Sequence, residues 1–206
     1  MTEAYKSARS SVLRHVSAAG APARERDLRP QGRKTMRRLL DAGIRLFGER
    51  GFHAARVDDI VRAARTSHGT FYLYFSNKED LLRALAVECA HELDALTGDA
   101  GHADLRVFLD EFMATYRRYG PVIRAWMEGN VDDREVSNLG VRAFTDIASA
   151  LGERMERAGA TGDAASIAAL MALLERLAYF CVSRDLDVDT DALLSTVTVL
   201  VERGFF

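Results

Sequence analysis

Residues 56–78, RVDDIVRAARTSHGTFYLYFSNK, constrain this chain more than any other stretch. They read as a short amphipathic helix, a tight polar turn, and a second helix that opens on Ser67, His68, Gly69 and Thr70. Phe71, Tyr72, Tyr74 and Phe75 follow at once. Two short helices with such a junction are the sequence form of a helix-turn-helix, whose second helix enters the DNA major groove. Small residues let that helix start approach base edges, where the His68 ring and Thr70 hydroxyl offer donors and acceptors. Backbone amides at the same end suit a phosphate. Phe71 and Phe75, four apart, share a face and can bury it against neighbouring helices. Tyr72 and Tyr74 are left to point elsewhere, with hydroxyls in reach of phosphates.

The flanking residues extend the pattern. Arg33–Arg50 carries Met36, Leu40, Gly43, Ile44 and Phe47 at helical spacing, and Gly51 follows where a helix commonly stops. Asn77-Lys78-Glu79-Asp80 opens a long helix whose acids suit the positive end of its dipole. Leu82, Leu85, Ala86, Cys89, Leu93 and Leu96 form its buried stripe. Lys78 at its start is a candidate phosphate clamp.

In RGFHAARVDDI, AARTSHGTFYLYF and SNKEDLL, together with RKTMRRLLDAGIRLF before them, residues 32–92 resemble the DNA-binding arm of TetR-type bacterial regulators. The resemblance covers under a third of the chain. It implies an all-α fold, with an N-terminal three-helix DNA-binding domain and a C-terminal helical domain for ligand binding and dimerisation. Two positions depart from the pattern: Arg65 stands in the turn where Gly is usual, and Arg56 stands where Thr is usual. An arginine in a left-handed turn costs about 1 kcal/mol relative to Gly. Arg56 gives up a hydroxyl cap and offers a cation that can meet a phosphate. The DNA-contacting set is then Arg56, Ser67, His68, Gly69, Thr70, Tyr72, Tyr74 and Lys78.

Charge is distributed unevenly along the 206 residues. Residues 1–80 hold 16 Lys/Arg against 9 Asp/Glu, and the remainder holds 12 against 21, so a basic arm rides on an acidic body. That arrangement fits a DNA-facing arm. Residues 1–31 read as an extension, with Pro22 and Pro30 flanking Arg24, Arg26 and Arg29. It is either a disordered segment or a basic arm that lies along the DNA backbone or minor groove. No apolar run approaches the roughly 18 residues that span a bilayer and no apolar signal core opens the chain, so a cytoplasmic protein without a membrane partner is expected. Cys89 and Cys181 sit in apolar helical contexts and read as structural thiols.

Catalytic and metal chemistry find no support. The five histidines have no zinc spacing, and phosphate-binding glycine loops, GxSxG and HExxH are absent. The acids of Asp185–Asp191 resemble a calcium loop, but Thr190 and Thr196 stand where Gly and a bidentate Glu belong. Neither enzyme activity, a metal nor a cofactor is expected.

Residues 93–206 read as further helices: 103–119, ended by Gly120-Pro121; a short one from Pro121 to Glu128; a polar loop over 129–138; then 139–158, 163–184 and 190–203. In the last two, Ile167, Leu170, Met171, Leu174 and Leu177, with Leu193, Val197 and Leu200, line one side, and apolar residues also occupy the other. A helix apolar nearly all round is buried on several sides, which points to a symmetric homodimer through these faces. Phe108, Phe112 and Tyr116 form one stripe at i, i+4 and i+8. Singly they are core residues. The resemblance implies an inducer cavity here, and Trp126, Met127, Phe144 and Tyr179 join them as candidate walls of an apolar pocket, with Arg124 and Glu128 as polar groups. The expectation is a homodimeric, ligand-responsive transcriptional regulator. It would repress from palindromic operator DNA and be released by a small hydrophobic effector. The alternative is a helical ligand-binding or interaction module whose arm no longer reads DNA.

Overall fold

A computed structural model of the chain describes residues 29–98, 104–127, 133–183 and 189–206. The extension before residue 29, Glu128, Asp185 and Asp187 therefore lie outside the described residues. Eight helices and no strand are found among the described residues: α1 (Pro30–Arg50), α2 (Val57–Ala63), α3 (His68–Tyr74), α4 (Lys78–Ala95), α5 (Leu105–Met127), α6 (Arg134–Arg157), α7 (Ala164–Ser183) and α8 (Thr190–Phe205).

α1 begins three residues earlier than its apolar pattern suggested, because Pro30 stands in its first turn, where a missing N–H is harmless. Its buried face, Leu39, Leu40, Leu46 and Phe47, meets α2, α4 and α5. α2 contributes Ile60 and Val61, and α3 contributes Phe71 and Tyr74. The Asn77 side chain caps α4 by accepting the Asp80 N–H at 2.7 Å. From there Leu81, Leu82, Leu85, Ala86, Cys89 and Leu93 run buried along the helix. α4 packs against α1 at one end and against α5 and α6 of the body. Its tilt therefore sets where α2 and α3 sit.

The break expected at Gly120-Pro121 does not occur. α5 runs unbroken through both residues, carrying Trp126 and Met127 on the same helix as Phe108. A proline inside a helix removes one hydrogen bond and costs about 3 kcal/mol. The helix survives because its face is buried on both sides of the proline: Tyr116 and Tyr119 before it, Val122 and Ile123 after it, all at most 1% exposed. Nor is 134–138 a loop. The Asp133 carboxylate caps α6 by accepting the N–H groups of Glu135 and Val136, and Val136 is buried.

α6 meets α5 in a close approach at Gly140. A Cβ on Gly140 would lie 2.5 Å from Trp126 Cγ, inside any tolerable contact. Gly140→Ala should therefore destabilise the fold by about 1–2 kcal/mol through overpacking, although alanine is the better helix former by about 1 kcal/mol. Trp126 is the only tryptophan, so a lower melting temperature with altered tryptophan emission checks this. An unchanged melt and spectrum would refute it.

α7 and α8 correct the expected faces. Leu170, Leu174 and Val197 are buried within the protomer, as are Ala178, Leu194 and Val201. The side of α7 left outward carries Ala165, Ala169, Ala172, Leu173 and Phe180, and that of α8 carries Val199 and Leu200. Of the expected interface residues only Leu200 is largely exposed, while Ile167, Met171, Leu177 and Leu193 are intermediate. When a helix is apolar all round, periodicity cannot say which side faces its own core. Contrary to the expectation of no such segment, Ala164–Val182 is long and apolar enough to cross a membrane, with a mean hydropathy of 1.7 and only 17% of it buried. Glu175 interrupts it from within, accepting the Tyr116 hydroxyl at 3.0 Å.

Candidate DNA interface

The turn between α2 and α3 is built on an arginine. Ala64 closes α2, and Arg65 takes φ 52°, the left-handed region that favours glycine. The Thr66 N–H donates to Val61 O at 2.9 Å and the Arg65 N–H to Arg62 O at 3.1 Å. This is the bonding of a glycine-type helix terminator, achieved at a cost of about 1 kcal/mol in backbone strain. The guanidinium it carries is exposed beside the motif. Arg56 is also exposed, at the start of α2, and makes no side-chain cap. Asp58 and Asp59 supply that end's negative charge instead, with Asp59 paired to Arg50 at 3.0 Å and Arg62 at 3.3 Å.

Ser67 caps α3. Its Oγ accepts the Thr70 N–H at 3.1 Å and lies 3.0 Å from Thr70 Oγ1. The Thr70 amide is thus already satisfied within the chain. Ser67, His68, Gly69, Tyr72 and Leu73 are exposed and Thr70 is half-exposed, so α3 turns a continuous polar and small face outward. Phe71 and Phe75 are fully buried, their ring centroids 5.7 Å apart.

Two expected contact residues are placed differently. Tyr74 is buried, only 6% exposed, because at i+3 from Phe71 it shares the inward face. Leu73, which residue type did not single out, takes the outward position at 58% exposed, beside Tyr72 at 57%. Lys78 is not a free clamp. Its Nζ donates to the carbonyls of Phe52, His53 and Ala55 at 2.9, 3.0 and 3.2 Å and lies 4.7 Å above the Phe52 ring. All three ammonium protons have acceptors, and the lysine ties the α1–α2 connection to the start of α4.

His68 is held from the neighbouring helix, with Nε2 2.6 Å from Asp58 Oδ1. The His68 hydrogen bond draws the Asp58 carboxyl below its usual range, so Asp58 is a carboxylate at neutral pH. A carboxylate only accepts, which puts the proton on Nε2 and leaves Nδ1 as the acceptor of the neutral ring.

Behind this surface the aromatic stripe is packed solid. Phe108, Phe112 and Tyr116 are 2%, 7% and 0% exposed. Phe108 stacks on Phe112 at 6.3 Å, and burial, reinforced by Glu175, pushes the Tyr116 hydroxyl well above its ordinary pKa. Trp126 and Phe144 pack edge to face at 6.2 Å, while Met127 is 54% exposed. Tyr179 lines an open groove between α1 and α5, to which the stripe does not contribute.

Residues 39–85 match the family model described as bacterial regulatory proteins, tetR family. Over these residues the chain is similar to regulators of the TetR family. The HTH-type transcriptional regulator YvdT of Bacillus subtilis is 37% identical over 93 residues, 42% of this chain and 47% of that protein. The fatty acid metabolism regulator protein of the same organism is 40% identical over 58 residues, 28% of this chain and 30% of that one. The chain thus spans less than half the length of these curated relatives. Solved TetR-type structures share the fold over nearly the whole chain. The fatty acid degradation regulator FadR of Bacillus halodurans superposes with TM-score 0.65 at 20% identity, covering 87% of this chain and 98% of its own. A tetR-family protein from Rhodococcus RHA1 reaches 0.67 at 18% identity, covering 84% and 97%. Residues 39–85 are thus similar to the helix-turn-helix domain of tetR-family transcriptional regulators, and the chain shares the all-helical fold of its solved neighbours.

Proposed function

We propose that the protein is a homodimeric repressor that reads a palindromic operator with the outward face of α3 and releases it on binding a small hydrophobic ligand in the body. The observation that carries this reading is the continuous exposed face Ser67, His68, Gly69, Thr70, Tyr72 and Leu73 on a capped helix seated on a buried aromatic base. His68, Gly69 and Thr70 meet base edges, the Leu73 side chain suits a thymine methyl, and the Tyr72 hydroxyl reaches a phosphate. Arg56 and Arg65 add backbone cations. Residues 32–92 form the reading domain and 93–206 the ligand and dimer domain, in the cytoplasm where the operator lies.

Dimerisation is supported by the outward faces of α7 and α8, apolar surface that a lone protomer leaves in water. Glu175 and Arg176 in mid-helix favour a protein partner over a bilayer for α7. Two copies of α3 fit one DNA face when spaced by about one turn, roughly 34 Å. A ligand that prefers a different α4 tilt shifts the population away from that spacing, and a near-complete switch needs about 5 kcal/mol of preference between the two states. A solved structural relative, FadR of Bacillus subtilis, was captured with stearoyl-CoA, which supports an effector with a long apolar part.

Selection of bound sites from random duplex DNA tests the reading. Enrichment of a two-fold symmetric site with half-sites about one turn apart is expected. A folded, dimeric protein that enriches nothing at low salt would sink it.

The Asp58–His68 contact makes a sharper forecast. Because Asp58 fixes the acceptor on Nδ1, Asp58→Asn should change the base preferred at one position per half-site, with about 1–3 kcal/mol of discrimination lost there. His68→Ala should relax the same position while non-specific affinity stays unchanged. Equal losses on selected and scrambled DNA would show that the pair does not read sequence.

A further inference from the structure

His68 opens α3 and Asp58 stands in the first turn of α2, so the 2.6 Å contact between Nε2 and Oδ1 ties the two helices of the motif together. The contact leaves the ring open to a partner, since the His68 side chain is 55% exposed. With Nε2 taken, Nδ1 is the ring nitrogen left to meet a base edge. Gly69 beside it leaves room for one. A Cβ there would find nothing nearer than Ser67 Oγ at 3.9 Å, so no neighbour among the described residues requires the missing side chain. Glycine in a helix costs about 1 kcal/mol relative to alanine. The bare backbone next to His68 therefore favours close approach from outside the protein, and on this face the approaching group is a base edge.

The neutral and the charged ring differ at one atom. Asp58, held below its usual range by the His68 hydrogen bond, stays a carboxylate in mildly acidic solution and accepts from Nε2–H in both states. Nδ1 accepts in the neutral ring and donates in the imidazolium. In the major groove adenine and cytosine present amino donors, where guanine and thymine present carbonyl acceptors. One side chain, held in one place, thus matches opposite base edges in its two states.

The charged groups nearby are engaged in other ways. From α2, Arg56 and Arg62 act on Asp58, and Asp59 is shared between Arg62 and Arg50 of α1. From α4, Lys78 is held by three carbonyls of the α1–α2 connection. Arg65 stands exposed in the turn, and Tyr72 lies one turn further along α3. Of these residue types only histidine ordinarily changes charge between about pH 5 and 8.

We propose that His68 is a proton-switched base reader: with Nε2–H seated on Asp58 throughout, Nδ1 selects adenine or cytosine when the ring is neutral and guanine or thymine when it is charged. The inference rests on the reading of α3 as the DNA-facing helix and adds to it a dependence of operator choice on pH. It is distinct from a general gain in affinity. One added cation strengthens binding to every sequence, whereas inversion at Nδ1 exchanges the base at one position.

Site selection from random duplex DNA, run with the full chain at about pH 5.5 and at about pH 8.5, tests the switch. One position per half-site should pass from adenine or cytosine at the higher pH to guanine or thymine at the lower, with about tenfold preference each way. The other positions should not change. Asp58→Asn should keep the low-pH preference, because the charged ring donates from both nitrogens. It should lose the high-pH one, because an amide can also donate to Nε2 and no longer fixes the tautomer. His68→Gln should enrich the same base at both pH values. Nitrogen-15 spectra of the free protein, with the His68 signals assigned by their loss in His68→Gln, report the ring without DNA. They should show Nε2 alone protonated at the higher pH and both nitrogens protonated at the lower. The same base at both pH values in the unaltered chain, or a high-pH ring with its proton on Nδ1, would overturn the proposal. Enrichment of nothing at either pH is a different result, which would overturn the DNA-reading function itself and this inference with it.

Discussion

Leu173→Glu combined with Phe180→Glu is expected to convert the proposed dimer to monomers and to weaken binding to a selected operator by about 10²–10⁴-fold, the range lost when two linked binding events become independent. Leu173 and Phe180 lie seven residues apart on the outward side of α7, 41% and 43% exposed. Around them Ala165, Ala168, Ala169 and Ala172 keep the helix surface low, so a second helix can approach closely. Val199 and Leu200 on α8, 45% and 61% exposed, extend the patch. Placing carboxylates there costs the protomer little, because these side chains already face water, but it buries charge in a dimer. Size-exclusion chromatography with light scattering reads the state, and circular dichroism shows that the helices persist. Val141→Glu serves as the control, a still more exposed apolar residue on α6, and should leave the dimer intact. A double variant that stays dimeric and holds its operator would place the interface elsewhere.

How much of this could be read before the fold is visible in particular residues. The DNA-binding helices were legible nearly to their ends, because their caps and apolar spacings are local signals: Ser67, Asn77, and the pair Phe71 and Phe75. Arg65 was legible too, since the turn demanded a left-handed residue whichever side chain stood there. Tyr74 was misread because its hydroxyl suggested a polar task, while the 3.6-residue period places it inward with Phe71 and leaves Leu73 outside. Gly120-Pro121 was misread for the converse reason: a strong local breaker was outweighed by residues on both sides of it that are buried against helices distant in sequence. On α7 the pattern itself is ambiguous. Leu170 and Leu173 are equally apolar, and only the placement of α5 and α8 decides that the first is core and the second surface. A groove between α1 and α5 lay beyond sequence reasoning altogether, since Arg45 and Arg124 line it from helices far apart in sequence.

Lys78 shows most sharply how residue type and surroundings can disagree. A lysine beginning a helix behind a recognition helix suggests a phosphate contact, yet a cation at a helix N-terminus opposes the dipole. Here it is stabilised by three carbonyls of the α1–α2 connection and by the Phe52 ring. Lys78→Ala should therefore destabilise the protein in the absence of DNA by about 2–3 kcal/mol, since charge-assisted bonds are lost and partly buried carbonyls lose their donor. For a chain of this size that is a fall of about 5–10 °C in melting temperature. Lys78→Arg should not restore it, because a planar fork cannot converge on three carbonyls as a compact ammonium does. Operator affinity should fall as a consequence, on all sequences alike, as the connection loosens and α2 and α3 lose their fixed place on α4. The competing account is a direct phosphate contact. It forecasts an unchanged melt for Lys78→Ala and a salt dependence of binding shallower by about one ion. Melting curves without DNA, set beside binding isotherms at several salt concentrations, separate the two. An unshifted melt would return Lys78 to the DNA backbone and leave the carbonyl cage without energetic weight.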